Sequence, residues 1–296
     1  MNLTEQSTKS SSTPSSPDWN TRPRNGKARA VYLIAVLLGT GLLASIIFRH
    51  SSYSARIARG QTSTQPNAQL GREIYIAEGC IHCHSQYARP GTTDQVQWGP
   101  PADPKQVLEQ TPPLIGNRRQ GPDLMNVGNR RSPEWQRVHL INPRSLVPAS
   151  RMPSYAHLFA KGEIRGEALV VYLCSLGGDT SKERLKQIAR WTPAPDARPN
   201  ANSAAELYDA NCSCCHGDRG TGDGPLAKSF GGKSKCDLLK RPTGSPATEP
   251  DLIRLAQIIK FGIPGTQMPG YETLTDSEVL GLASYVATSH QKGSTE

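Results

Sequence analysis

The chain has 296 residues, too many for one small domain and enough for two domains of ordinary size plus an anchor. With 36% hydrophobic and 6% aromatic residues against 27 Gly and 24 Pro, it is thin in core-forming side chains, so something besides side chains is expected to help fill its cores. The formal charge of +9 disperses along the chain: residues 203–290 hold eight Lys/Arg against ten Asp/Glu, and no basic, aromatic-interleaved face for nucleic acid emerges.

Residues 1–29, with TKSSSTPSSP at 8–17, are too polar and too rich in Ser and Pro to fold alone and read as a disordered cytoplasmic tail. Residues 30–48, AVYLIAVLLGTGLLASIIF, form an uncharged run close to the roughly 20 residues that cross a bilayer as a helix. A cleaved signal peptide is the competing reading, but the polar leader is long, the apolar run exceeds the usual signal core, and no clear A-x-A site follows. Basic residues stand on both flanks, Lys9, Arg22, Arg24, Lys27 and Arg29 before the run and Arg49, Arg56 and Arg59 after it, so charge favours a cytoplasmic N-terminus only weakly. Residues 49–68 read as a flexible tether.

Two copies of C-x-x-C-H follow, Cys80-Ile81-His82-Cys83-His84 and Cys212-Ser213-Cys214-Cys215-His216. This is the attachment signature of a c-type haem. Two cysteines three apart lie on one side of a helical turn, where both sulfurs reach one porphyrin, and the adjacent histidine meets the iron. The flanks agree with each other. A short helical segment with a tyrosine precedes each motif, GREIYIAEG with Tyr75 and AELYDAN with Tyr208. A Pro/Gly-rich loop, a Met-Pro pair and a closing helix come after it: Met152-Pro153 with EALVVYLCSLG, and Met268-Pro269 with DSEVLGLASYVAT. The order occurs twice, as in an internal repeat.

The two stretches resemble the class I cytochrome c fold over 69–178 and 203–290, which implies a mainly α architecture: one transmembrane helix, then two such domains joined by a linker at 179–202 that contains PAPDARPNANS. Two covalently bound haems c are expected. The candidate iron ligands are His84 with Met152 and His216 with Met268; the attachment residues are Cys80 and Cys83, Cys212 and Cys215. A thioether opposite imidazole closes the iron and suits it to electron transfer. Zinc would need four ligands per site, and no second Cys/His pair completes either motif. Each histidine should donate its other ring N–H to a backbone carbonyl, for which Gly121-Pro122 and Gly224-Pro225 are the candidates.

Several other residues have alternative readings. His139 and His157 are alternatives to Met152 as axial ligand, Met125 and Cys174 read as packing residues, and His82 as a solvated side chain. Cys214 and Cys236 could pair in an oxidising compartment. Arg130, Arg131 and Arg144 suit haem propionates or an acidic patch on a partner, with solvated arginines the plain alternative. No Ser/His/Asp arrangement, paired carboxylates with a clear role or phosphate-binding loop marks an independent active site.

The strings GREIYIAEGCIHCHSQYARP at 71–90 and GPDLMNVGNRRSPEWQRVHLINPRSLVPASRMPSY at 121–155 closely resemble the membrane-anchored monohaem subunit of C-class (cbb3-type) haem-copper oxidases. Elements not generic to cytochromes c carry this resemblance: HSQ-x-x-RP at 84–90, GPDL at 121–124, EW at 134–135 and HLINPR at 139–144. It implies that Cys80, Cys83, His84 and Met152 hold the first haem. It also implies that this domain sits outside the cytoplasm, on the periplasmic or outer side of the bacterial inner membrane, against an integral-membrane oxidase core subunit as its partner. The second domain, with CHGDRGTGDGPLAKSF and IPGTQMPGYETLTDSEVLGLASYV, resembles generic class I cytochrome domains, including those of the dihaem subunit of the same oxidases. The usual monohaem subunit ends near the close of the first domain, so this chain looks like a fusion. Its appended domain is then expected to take over electron entry from a missing or altered dihaem subunit, receiving electrons from a soluble or membrane-bound donor. Three other functions remain open: the cytochrome subunit of a nitric oxide reductase, a free-standing tethered shuttle, and a haem-based sensor or peroxidase, which would need an open iron position.

Overall fold

A 35-residue helix, α1 (Gly26–Gly60), follows from an unbroken apolar run with no proline to stop it. The computed structural model describes residues 26–60, 65–101, 103–116, 118–238 and 249–292. Ala30–Ile47 within α1 has a mean hydropathy of 2.4 and buries none of its surface in the chain. Leu33, Leu37, Leu38, Leu42 and Ile47 are all exposed, an apolar surface on every side that only lipid or another protein would satisfy. The expected tail lies outside the described residues except for 26–29, which belong to α1. The tether is a correction: 49–60 continue the helix, since no Gly or Pro interrupts it before Gly60.

The chain divides into two units, Met1–Arg56 and Ile57–Glu296. The second contains no strand among the described residues, only the isolated bridges Thr221 with Asp237 and Gly262 with Pro269.

Its first half is built on α2 (Ala68–Ala77), α3 (Pro133–Ile141) and α4 (Arg165–Ser175). Asn67 caps α2 by accepting the Leu70 N–H at 2.9 Å, and Ser132 caps α3 by accepting the Trp135 N–H at 3.1 Å. Leu70, Gly71, Ile74 and Tyr75 form the buried stripe of α2, which lies against α4. The crossing is tight at Gly71, where a Cβ would stand 2.0 Å from the carbonyl oxygen of Ala168. Tyr75 and Tyr172 meet edge-on beside it at 5.7 Å. Arg137 ties α3 to α4 with a two-pronged bond to Glu167, both contacts at 2.7 Å.

The expected linker is a second correction. Residues Ser181–Arg190 form a helix, α5, with Arg184 and Ile188 buried on one face. Arg184 donates to the Val96 carbonyl at 2.9 Å, and Gln187 to that of Gln95 at 2.5 Å, so α5 is packed onto the first half. The Pro-rich stretch after it is also tied down: Ala194 N–H reaches Asp276 at 2.9 Å and Asn200 N–H the Ser277 carbonyl at 2.9 Å.

In the second half the longer helices, α6 (Ala204–Asn211), α7 (Glu249–Phe261) and α8 (Asp276–Lys292), repeat the plan around Tyr208, Ala256, Ile259, Val279, Leu282 and Ala283. Tyr208 and Tyr285 stand 5.4 Å apart, the counterpart of the first tyrosine pair. A third apolar cluster joins the halves, setting Trp135, Val138 and Leu146 against Cys215, Ala227, Phe230 and Cys236.

The Gly71 crossing makes a clear prediction. Gly71→Ala adds only the methyl group that meets the Ala168 carbonyl, and should cost about 1 to 3 kcal/mol by overpacking. The urea midpoint of unfolding should fall with little change in the slope.

Candidate haem sites

In the first half, Gly79 ends α2 with φ +71°, and Cys80–His82 make a tight 3₁₀ turn. The His84 N–H bonds to the Cys80 carbonyl at 2.9 Å, so both cysteines and the histidine lie within little more than one turn. His84 Nδ1 is 2.8 Å from the carbonyl oxygen of Pro122. A carbonyl only accepts, so Nδ1 carries the ring proton and the Nε2 lone pair is left free for a metal. Burial holds the imidazole pKa below its usual value, against the opposing pull of that carbonyl, and keeps the ring neutral.

The loop carrying Pro122 is held by Asp123, a carboxylate buried to 0% exposure. It accepts from Ser85 Oγ at 2.5 Å, from the Tyr87 N–H at 2.8 Å and from the Met125 N–H at 2.9 Å. Gly121 lets this loop approach the ring, since a Cβ there would be 2.4 Å from His84 Cε1. The adjoining cavity, of about 70 Å³, is lined by Cys80, His84 and Met152 together with Arg130, Trp135 and His139.

In the second half, the His216 N–H bonds to the Cys212 carbonyl at 2.9 Å, the same local turn. Its Nδ1 lies 2.6 Å from the carbonyl of Cys236, not that of Pro225. The expectation for Pro225 is thereby overturned. Gly224 rests on the carbonyls of Ser213 and Cys214, where a Cβ would be within 2.4 and 2.5 Å, and the Leu226 N–H bonds to Cys214 at 2.8 Å. These contacts pin 224–226 to the backbone of the motif and leave Pro225 exposed. The bridge between Thr221 and Asp237 brings Cys236 to the ring instead. Cys212, Cys215, His216 and Met268 all line one cavity of about 490 Å³. Burial lowers the His216 pKa as it does that of His84.

The donor sets fit haem c. Each cavity brings a neutral, oriented imidazole and a methionine thioether to an apolar space beside the motif cysteines. Burial pushes the Cys80 and Cys212 thiols up to about 12. The first cavity also suits carboxylates: Arg130 Nε, Gln136 Nε2 and His139 Nδ1 are buried there without a hydrogen-bond partner.

The other candidates separate. Cys83 and His82 are exposed, and neither lines the first cavity. His157 is exposed and 3.4 Å from Glu78, whereas His139 shares the cavity with Met152 and stacks on Trp135 at 4.5 Å. Burial, aided by Arg131, pushes the His139 pKa down to about 3. Met125 and Cys174 are half-buried, Cys174 against the core. No disulfide joins Cys214 to Cys236, and Cys214 Sγ is 3.8 Å from Cys215 Sγ. Arg144 is exposed, while Arg130 and Arg131 turn toward Glu272 of the second half. Sequence reasoning missed Glu272 and the Cys236 carbonyl. Asp123 stood in view inside the GPDL string without a role.

A helical chain with an apolar anchor helix and haem-attachment motifs in apolar pockets is a membrane-anchored c-type cytochrome. Residues 26–179 match the family described as cytochrome c oxidase, mono-heme subunit/FixO, and 201–290 match the cytochrome c family. The chain belongs to the mono-heme subunit/FixO family of cytochrome c oxidases, followed by a further cytochrome c domain. It is thus a c-type electron-transfer subunit associated with a cbb3 oxidase core, and it carries covalent haem c. Comparison with curated proteins finds no match. Among solved structures, a chain of the reducing HAO-like protein complex of Kuenenia stuttgartiensis is 19% identical, over 74% of this chain and 94% of its own, at a TM-score of 0.27.

Asp123→Ala would strand the Ser85 hydroxyl and two backbone N–H groups in a buried loop, at a cost of roughly 3 kcal/mol or more. The expected outcome is a lower unfolding midpoint and, because the Pro122 carbonyl is released, altered low-spin EPR g values for the first haem.

Proposed function

We propose that the chain is a dihaem relay: electrons enter at the second cytochrome domain and leave from the first, which delivers them to the oxygen-reducing core of the oxidase. The second cavity carries this reading. It gathers Cys212, Cys215, His216 and Met268 around one apolar space, whereas the first cavity is lined by Cys80, His84 and Met152 with Cys83 outside it. Haem c bound there supplies a one-electron iron couple. The residues of the chain do the rest. With haem c bound, Cys80 and Cys83, and Cys212 and Cys215, would tether it as thioethers, His84 and His216 would offer the Nε2 lone pair left free by their carbonyl partners, and Met152 and Met268 would supply the thioether ligands. A closed iron favours transfer over oxygen or peroxide chemistry, which argues against the sensor and peroxidase readings.

The orientation follows from the chemistry of attachment. Covalent c-type haems are added outside the cytoplasmic membrane, so both motifs belong on that side, with the N-terminus in the cytoplasm and α1 spanning between them. A donor, soluble or membrane-bound, meets the second domain within a respiratory chain of the bacterial inner membrane.

Intact-mass measurement of the purified chain tests the haem count directly. Two haems are expected on the wild type, and one on Cys212→Ala/Cys215→Ala; a single haem on the wild type would refute the relay. Reduced wild-type protein should bind little carbon monoxide. Purification in mild detergent should recover the chain with a multi-helix haem-copper subunit; recovery alone would favour the free-standing shuttle.

A further inference from the structure

Glu272 follows Met268 by four residues in the loop between α7 and α8, and it is a carboxylate at 2% exposure. Three guanidinium groups surround it. Arg131 grips both oxygens, Nη1 to Oε1 at 3.0 Å and Nη2 to Oε2 at 2.8 Å, and Nη2 also donates to the Gly270 carbonyl at 2.8 Å. Arg130 Nη1 stands 3.6 Å and Arg184 Nη2 3.9 Å from Oε1. Each arginine is braced by an aromatic ring about one residue-width away: Arg130 over Trp98 at 5.0 Å, Arg131 over Trp135 at 4.9 Å and Arg184 over Phe261 at 4.9 Å.

The charges in this cage come from different parts of the chain. Arg130 and Arg131 belong to the first half and Arg184 to α5, whereas Glu272 is the contribution of the second half. Burial drives Arg130 and Arg184 down to about 10, so both remain cations at neutral pH. Burial opposes the charge on Glu272, but Arg131 and then Arg130 outweigh it and hold the carboxyl below its ordinary pKa. Glu272 and, more weakly, Asp123 are the negative charges that act on Arg130. Removing Glu272 would leave two buried cations, Arg130 and Arg184, and the half-buried Arg131 underneutralised. Neighbouring bonds reinforce the contact: Ser132 donates to Gln267, which donates in turn to Glu134 at 2.7 Å.

The position of the cage gives it a function. Arg130 and Arg131 line the first cavity, and the loop bearing Glu272 supplies Met268, Pro269 and Tyr271 to the second. We propose that Glu272 is a docking residue that fixes the second cytochrome domain on the first in one orientation, so that the two pockets keep a constant separation and the second domain does not swing as a free carrier. The docking stands on contacts within the chain, and only its use in electron relay rests on the dihaem reading above.

Hydrogen–deuterium exchange on the full-length holoprotein in detergent tests this proposal. In Glu272→Gln, amides of both 128–136 and 262–272 should exchange about tenfold faster or more than in the wild type, because opening exposes both faces together. Haem stoichiometry, measured in parallel by mass, should be unchanged, which separates this test from that of the relay. Unchanged exchange in both segments would overturn the proposal, as would faster exchange confined to 262–272, which would mark a loosened loop instead of an undocked domain. If the glutamine variant does not accumulate, Arg131→Met carries the test: faster exchange at 262–272, in the opposite domain, supports docking, and unchanged exchange there refutes it.

Discussion

A ring N–H held by a backbone carbonyl is the constraint from which both sites are built. It decides the tautomer, and the tautomer decides whether a lone pair is available to iron. Placing a carbonyl 2.8 Å from His84 Nδ1 requires the loop to come very near the ring, which explains Gly121, and to stay there, which explains the buried Asp123. The second half meets the same requirement with another segment, using Cys236 pinned by the bridge beside it. The interaction is repeated in the two halves while the residues that deliver it differ.

That difference sets how far the sequence could be read. C-x-x-C-H is a local pattern: one turn brings the histidine N–H to the carbonyl of the first cysteine in both copies, although Cys83 stays exposed outside the first cavity. The tyrosines recur at equivalent places in the repeat, but that Tyr75 meets Tyr172 and Tyr208 meets Tyr285 is seen only in the structure. The histidine partner depends instead on where a loop goes. Pro122 follows His84 by 38 residues, long enough to run round and return to the ring. Pro225 follows His216 by nine, and so short a segment stays on the backbone of its own motif, while Cys236, 20 residues on, reaches the ring. Two identical Gly-Pro pairs had different fates because their loops differ in length.

The linker and the tether failed as readings for related reasons. Proline and polar residues in 193–203 drew attention away from SKERLKQIAR, whose spacing of Arg184 and Ile188 is that of a helix with one buried face. An arginine on that face looks wrong for a core position until its partners are known, and those partners lie 88 residues before and 88 after it, at Val96 and Glu272. Buried charge is the feature that sequence reasoning handles least well, because its neutralising group is set by tertiary structure alone.

The Arg–Glu cage also bears on why the two halves behave as one unit. Apolar contacts among Trp135, Phe230 and their neighbours can supply adhesion, yet hydrophobic surfaces tolerate sliding and rotation. A buried carboxylate gripped at both oxygens does not, since any displacement leaves desolvated charge unpaired. The cage therefore adds little net attraction and much orientational selectivity. On the proposed dihaem relay this would be the useful property: rates depend on distance and geometry between centres, and a domain docked by one carboxylate among three arginines would keep both constant without requiring a stronger interface.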